Sequence, residues 1–306
     1  MRNWFRRHPP ETAGNKELWV PCSQCRELVY AREWESNYKV CPKCGHHARL
    51  SASERIALLL DPESFEELDA GMRSDDPLQF APEGVRPYKQ KLEEEMASSG
   101  LAEAAIYGRG RVDGLPVVFA MLDFRFFVAT MGSVVGEKIA RAAELAAREH
   151  RPLIICSASG GARQHEGVIA LMQMAKTVAA VRRLGQVGLP YISIMTDPTT
   201  AGVTASFAAL GDIIIAEPQA YIGFAGLRVI EQTTGEKLPP GTDTAEFQQQ
   251  HGMLDLVVHR RDLREVVARL LRLYMDARRQ ALARSMGQEE PASVPAAAMV
   301  ASTGAR

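Results

Sequence analysis

Apolar and polar positions follow two periods along this chain. In YGRGRVDGLPVVFAMLDF, apolar residues lie on both sides of Asp113-Gly114, which predicts two strands joined by a tight hairpin. The next stretch, GEKIARAAELAAREH, has helical spacing and a basic end. Then RPLIICSAS reads as a strand, Glu166 to Leu184 as a helix and LPYISIMTD as a strand. Thr204 to Leu210 follows as a short helix and DIIIAEP as a further strand. Continuous apolar strands between helices predict an α/β architecture with a buried, mostly parallel sheet.

The flanks read differently. SASERIALLLDPESFEEL starts as a helix, and the Pro-rich segment from Asp75 to Pro87 is expected to be a connector, with the large domain beginning in earnest near Tyr88. Arg261 to Arg284 predicts a basic amphipathic helix carrying Leu263, Val266, Val267, Leu270 and Tyr274 on one face. That face is expected to pack while the arginines meet solvent; docking onto an anionic partner is the alternative. Residues 1–17 are expected to be a flexible tail, 18–50 a ribbon, 51–285 the large domain and 286–306 a disordered tail.

The 306 residues, 46% hydrophobic and 24% charged, suffice for a sizeable core, and a net charge of −1 argues against a chain built globally around nucleic acid. No apolar run is long enough to span a bilayer and the start resembles no signal peptide, so no membrane association and a cytoplasmic location are expected. Four of the five cysteines fall as Cys22-x2-Cys25 and Cys41-x2-Cys44 with fifteen residues between the pairs. That spacing predicts one structural zinc ion in a closed tetrathiolate site. His46 and His47 are expected at the surface, and Cys156 as a small buried hydrophobe.

SASGGARQHEG lies between a predicted strand and a predicted helix, as does the small-residue turn in TDPTTAGVTASFAALGD. The first lacks both the phosphate-loop spacing with its lysine and Gly-x-Gly-x-x-Gly. Backbone N–H groups at such turns suit a developing oxyanion, with Gly161 or its neighbour giving one donor and Gly202 the other.

Together the ribbon, MGSVVGEK, SASGGARQHEG, LMQMAKT, GLPYISIMTDPT, ASFAALGDIIIAEPQAYIGFAG and RVIEQTTGEKLPPG resemble the carboxyltransferase beta-subunit family of bacterial acetyl-coenzyme A carboxylases. The resemblance covers roughly residues 18 to 285. It implies a crotonase-like (ClpP/crotonase) fold, a superhelix of repeated ββα units, following the zinc ribbon. It further implies a chain active only with an alpha subunit, as α2β2, served by biotin carboxylase and by biotin on its carboxyl carrier protein. The implied reaction carboxylates acetyl-coenzyme A to malonyl-coenzyme A for fatty acid biosynthesis. Its enolate would be stabilised by backbone donors at Gly160, Gly161, Ala201 and Gly202, with Arg163 orienting the loop, meeting an anionic group or acting as a structural donor. The chain departs from the family pattern at Ala201, at Val128-Ala129-Thr130 and at Gln164-His165. His165 is expected to be a polar helix-start residue, and Ala201 would be strained at positive φ.

Two other readings compete. A zinc-ribbon nucleic-acid binder would use Arg26, Arg32, Lys39, Lys43 and Arg49, although Glu27, Glu33 and Glu35 offset them. A stand-alone crotonase-type hydratase or isomerase would need Glu166 as its acid or base.

Overall fold

The computed structural model describes residues 18–285; the tails expected over 1–17 and 286–306 lie outside the described residues. Strands β1 (Trp19–Pro21) and β2 (Leu28–Tyr30) form an antiparallel hairpin followed by helix α1 (Ala31–Ser36). The interior of this ribbon is a small cluster of Cys22, Val29, Trp34 and Cys41. Helix α2 (Ala52–Leu59) opens on a capping box in which Ser51 and Glu54 satisfy each other's backbone N–H. Its Ala52, Ile56 and Leu59 belong to the core of the large sheet, and β3 (Glu66–Leu68) joins that sheet. The large body therefore takes up residues well before Tyr88. The connector from Asp75 to Pro87 contains no helix or strand and leads into α3 (Tyr88–Ser99).

The predicted hairpin is β4 (Ala105–Val112) and β5 (Leu115–Leu122). Asp113 (φ 50°) and Gly114 (φ 77°) are both left-handed, as a two-residue turn matched to the strand twist requires. The Asp61 carboxylate accepts from both turn amides at 2.8 Å. Helix α4 (Ser133–Glu149), β6 (Leu153–Ser159), α5 (Gly167–Gln186) and β7 (Tyr191–Thr200) follow as read from the sequence. The short helix expected over Thr204 to Leu210 is instead α6 (Ala201–Thr204) and a 3-10 turn (Phe207–Leu210), broken at Ser206, whose ψ of −119° no helix accepts. Then come β8 (Ile213–Ala216), β9 (Ile222–Gly223), α7 (Leu227–Thr234), α8 (Ala245–Gln250), β10 (Leu256–Val257) and α9 (Leu263–Ser285).

The main sheet runs β10-β8-β7-β6-β5-β4-β3, parallel from β5 to β10 and antiparallel at the β3–β4–β5 end. One face packs on α4 through Val135, Ile139 and Ala143. The other packs on α2 and α9, where Leu263, Val267 and Leu271 are buried. Each repeat also has a short second strand just before its helix. Met131 bridges Ala162, Ser159 pairs with Thr199, and Thr199–Thr200 pair with Ile222–Gly223. The ββα repeat places the starts of α4, α5 and α6 along one small second layer.

At the end of β8, buried Glu217 accepts from Arg55 (2.5 Å) and from Arg260 (2.6 and 2.8 Å). Arg260 also donates to the Tyr38 carbonyl (2.7 Å), fastening the ribbon to the sheet. Burial opposes ionisation of Glu217, but the two guanidiniums outweigh it and hold the carboxyl far below the usual range. Glu217→Ala leaves two buried cations without their counter-charge and is expected to cost about 3–5 kcal/mol in denaturant titration. The wild type keeps this contribution above about pH 4, where an unfolded glutamate ionises, and loses it as pH falls further. A variant with an unchanged midpoint at neutral pH would contradict this account.

Candidate active site

The parallel register of β6 and β7, from Leu153↔Tyr191 to Ser157↔Met195, carries both strands to the same sheet edge. The register shifts between Ser157 and Ser159, and threonine hydroxyls rivet the two strands there. Thr196 and Thr199 donate to the Ser157 carbonyl (2.9 and 3.1 Å), and Thr200 donates to that of Ser159 (2.9 Å). The two small-residue turns consequently meet. Gly161 has φ 115°, open only to glycine, and a Cβ there would lie 3.1 Å from the Ala201 Cβ.

The amides of the glycine pair are engaged inside the loop. Gly160 N–H donates to the Val128 carbonyl (2.8 Å) and Gly161 N–H to Ser159 Oγ (3.0 Å), whose own hydroxyl donates to the Ala129 carbonyl (2.8 Å). Ala201 and Gly202 open α6, where a helix leaves its first N–H groups without partners inside the helix. Gly202 packs against Met131 and Met174, whose side chains would lie 3.2–3.4 Å from an added Cβ.

Two of the three departures from the family pattern, Ala201 and the Val128-Ala129 pair, adopt the left-handed region. Ala201 has φ 53°, and Phe127, Val128 and Ala129 have φ 45°, 55° and 50°, forming a left-handed turn. Such a conformation costs an L-residue roughly 1–2 kcal/mol, and a β-branched valine is the hardest to place there. The carbonyls of this strained turn hold the glycine loop.

Arg163 and Glu166 are buried, 1% and 0% exposed. Arg163 donates to Thr130 Oγ1 (2.6 Å), the Thr130 carbonyl (2.8 Å), Glu103 Oε1 (2.7 Å) and Tyr88 Oη (3.0 Å), so it is a structural donor. Glu166 accepts from Ser74 Oγ (2.8 Å), Tyr88 Oη (2.8 Å) and the Ser133 amide at the start of α4 (2.6 Å). Burial opposes its charge, but these bonds more than offset that and hold its pKa below the ordinary glutamate value. A carboxylate so engaged and fully buried offers no exposed face to a substrate, which disfavours the hydratase reading. His165 is half-buried in the 3-10 turn that leads into α5, the helix-start position expected, and there it stacks on Tyr88 at 4.8 Å. Tyr88, Glu103 and Thr130 were invisible in the sequence because they join the loop from 33 to 75 positions away.

In the ribbon, the four sulfurs of Cys22, Cys25, Cys41 and Cys44 lie within 4.8 Å of one another and form no disulfide. Cys22–Cys44 and Cys25–Cys41 are 3.7 and 3.8 Å apart, matching the edge of about 3.8 Å that zinc–sulfur bonds of about 2.3 Å give a tetrahedron. The residues fit one closed structural zinc site. His46 meets Ser23 Oγ (3.0 Å), whereas His47, expected at the surface, is 3% exposed and packs edge-on against His259. Neither belongs to the sulfur cluster. Cys156 is buried, and that burial pushes its thiol up to about 11, so it is the inert hydrophobe expected.

Residues 46–259 match the carboxyl transferase domain, and residues 19–44 the acetyl-CoA carboxylase zinc finger domain. The acetyl-coenzyme A carboxylase carboxyl transferase subunit beta of Pelotomaculum thermopropionicum is 56% identical over 258 residues, covering 84% of this chain and 89% of that protein. This chain belongs to that beta-subunit family. A Parafrankia relative named as subunits beta/alpha is 50% identical over 266 residues, covering 87% of this chain and 43% of that protein. The transcarboxylase 12S structure with methylmalonyl-coenzyme A bound aligns at a TM-score of 0.62 and 26% identity over 78% of this chain and 42% of that one. The crotonase-like carboxyltransferase fold and the zinc ribbon of the family are both present. Among the described residues, no helix is long and apolar enough to cross a membrane.

Because the ribbon's apolar interior is so small, metal binding supplies its folding free energy. The wild type is expected to carry close to one zinc ion per chain. Cys41→Ser is expected to lose it and expose residues 18–50 to protease while the large body stays folded. Unchanged zinc content in that variant would contradict the tetrathiolate site.

Proposed function

We propose that this chain is the beta half of a carboxyltransferase that carboxylates acetyl-coenzyme A to malonyl-coenzyme A in a site completed by an alpha subunit. The observation that carries this reading is the meeting of the two strand-end turns, at Gly161 and Ala201, in a chain of this family. Carboxybiotin on a partner carrier, when bound, would supply both the carbon dioxide and, once that is released, the ring nitrogen that takes a proton from the acetyl methyl.

This chain's part is to hold the thioester and stabilise the charge that develops on its oxygen. The amides of Ala201 and Gly202, at the start of α6, are the donors. Gly160 and Gly161, whose amides are already engaged, act by shape, since a side chain at Gly161 would fill the gap next to Ala201. Backbone donors fixed before the reaction need no reorganisation as the enolate forms.

The alpha partner is supported by the relative that carries both subunits in one chain. It is also supported by the exposed apolar face of Val168, Leu171 and Met172 at the start of α5. An assembly with two copies of each chain, and service by biotin carboxylase and the biotin carrier, follow from the family reading. Lys39 and Arg49 of the ribbon pair with Glu54 and Asp197, so two of its basic residues face the large body, which weakens the nucleic-acid reading.

The test is malonyl-coenzyme A decarboxylation by the chain assembled with its alpha partner. Gly161→Val is expected to lower turnover a hundredfold or more, about 3 kcal/mol of transition-state stabilisation, in a complex that still assembles. An assembled Gly161→Val complex with wild-type turnover would overturn the role given to this turn.

A further inference from the structure

The Tyr88 hydroxyl joins two buried charge systems on the outer side of the glycine loop. It donates to Glu166 Oε1 (2.8 Å) and accepts from Arg163 Nη1 (3.0 Å). Arg163 has its counter-charge in Glu103 (2.7 Å), while Glu166 is answered by the Ser133 amide at the start of α4 (2.6 Å) and by Ser74 (2.8 Å). The two charged residues bracket the far half of the loop. Glu166 reaches so close to the start of α4 that a Cβ on Gly132 would sit 2.9 Å from its carboxylate oxygens. Arg163 grips Thr130, directly after the strained turn that holds Gly160. The Tyr88 ring is buried and stacks on His165 with planes 15° apart, fixing the direction of the hydroxyl.

This arrangement separates position from stability. Removing the Tyr88 hydroxyl leaves Arg163 bonded to Glu103 and Thr130, and Glu166 bonded to Ser133 and Ser74. Neither charge loses its main partner, so the fold tolerates the loss. What disappears is the side-chain bridge between the two charges; the backbone bond from the Glu166 N–H to the Arg163 carbonyl (2.9 Å) remains, so the loss falls on how firmly the side chains hold this turn in place.

We propose that Tyr88 is a positioning residue for the reaction: its hydroxyl, shared between Glu166 and Arg163, locks the loop from Ser159 to Glu166 against the Ala201–Gly202 turn. It thereby sets the clearance at Gly161 through which the thioester meets its donors. The kinetic part of this inference rests on the carboxyltransferase reading, whereas the structural part does not.

The experiment compares Tyr88→Phe and Ser74→Ala with wild type, each as the full chain assembled with its alpha partner. Amide hydrogen exchange over residues 159–166, thermal melting and malonyl-coenzyme A decarboxylation are measured on all three. Tyr88→Phe is expected to speed exchange in the loop about tenfold while β6 stays protected and the melting temperature moves by only a few degrees. Its kcat is expected to fall about tenfold with KM within about twofold. Ser74→Ala removes a donor from the same Glu166 oxygen without touching Arg163, and it is expected to leave loop exchange and kcat within about twofold of wild type. The proposal is overturned by unchanged loop exchange in Tyr88→Phe, by a loosened loop with wild-type kcat, by an equal loss in Ser74→Ala, or by a Tyr88→Phe chain that fails to fold. A wild-type assembly inactive on malonyl-coenzyme A would sink the carboxyltransferase reading instead, and the exchange data would then decide on their own whether Tyr88 locks the loop.

Discussion

The parallel pairing of β6 with β7 is the constraint on which the site depends. Neighbouring parallel strands end at the same edge of a sheet, so the turns that follow them are brought side by side whatever their sequence. Small residues then decide how closely they approach. Gly161 and Ala201 come so near that one added Cβ would touch the other, and the threonine hydroxyls of β7 hold the strand ends where the ladder shifts. The site is thus a consequence of ββα topology combined with residues that have almost no side chain.

Strain is concentrated around this edge. Phe127, Val128, Ala129 and Ala201 take left-handed backbone that L-residues avoid, and the surrounding bonds over-determine it. The Val128 and Ala129 carbonyls accept from Gly160 and Ser159, and Thr130 is gripped by Arg163. The alanine at 201 and the valine at 128 keep the backbone conformation that glycine would adopt freely. Their N–H and C=O groups stay in place, at the cost of the strain.

Much of this was legible in the sequence. The runs RPLIICSAS, LPYISIMTD and DIIIAEP fall on β6, β7 and β8, because a buried parallel strand writes itself as continuous apolar residues. The hairpin was legible from Asp113-Gly114, and the sulfur cluster from its spacing. Strands as short as β9 and β10 carry no period to detect, and β3, with two glutamates in three residues, resembles a loop. Buried charges were hidden for a different reason. Arg55, Glu217 and Arg260 look like surface residues in any local window and become core only through partners 43 to 162 positions away. His47 misled in the same way, since its burial depends on the sheet against which the ribbon docks. The Ala201 conformation could not be read either, because a sequence reports which residue occupies a turn but not its φ.

The proposed function requires that a thioester oxygen be held by the backbone where the two turns meet. The most direct measurement is a structure of the assembled complex with a non-reactive malonyl-coenzyme A analogue bound. The thioester oxygen is expected at about 3 Å from the amides of Ala201 and Gly202, with the acyl group passing over Gly161. An analogue whose thioester oxygen instead points at a side chain, or lies away from the α6 start, would contradict it.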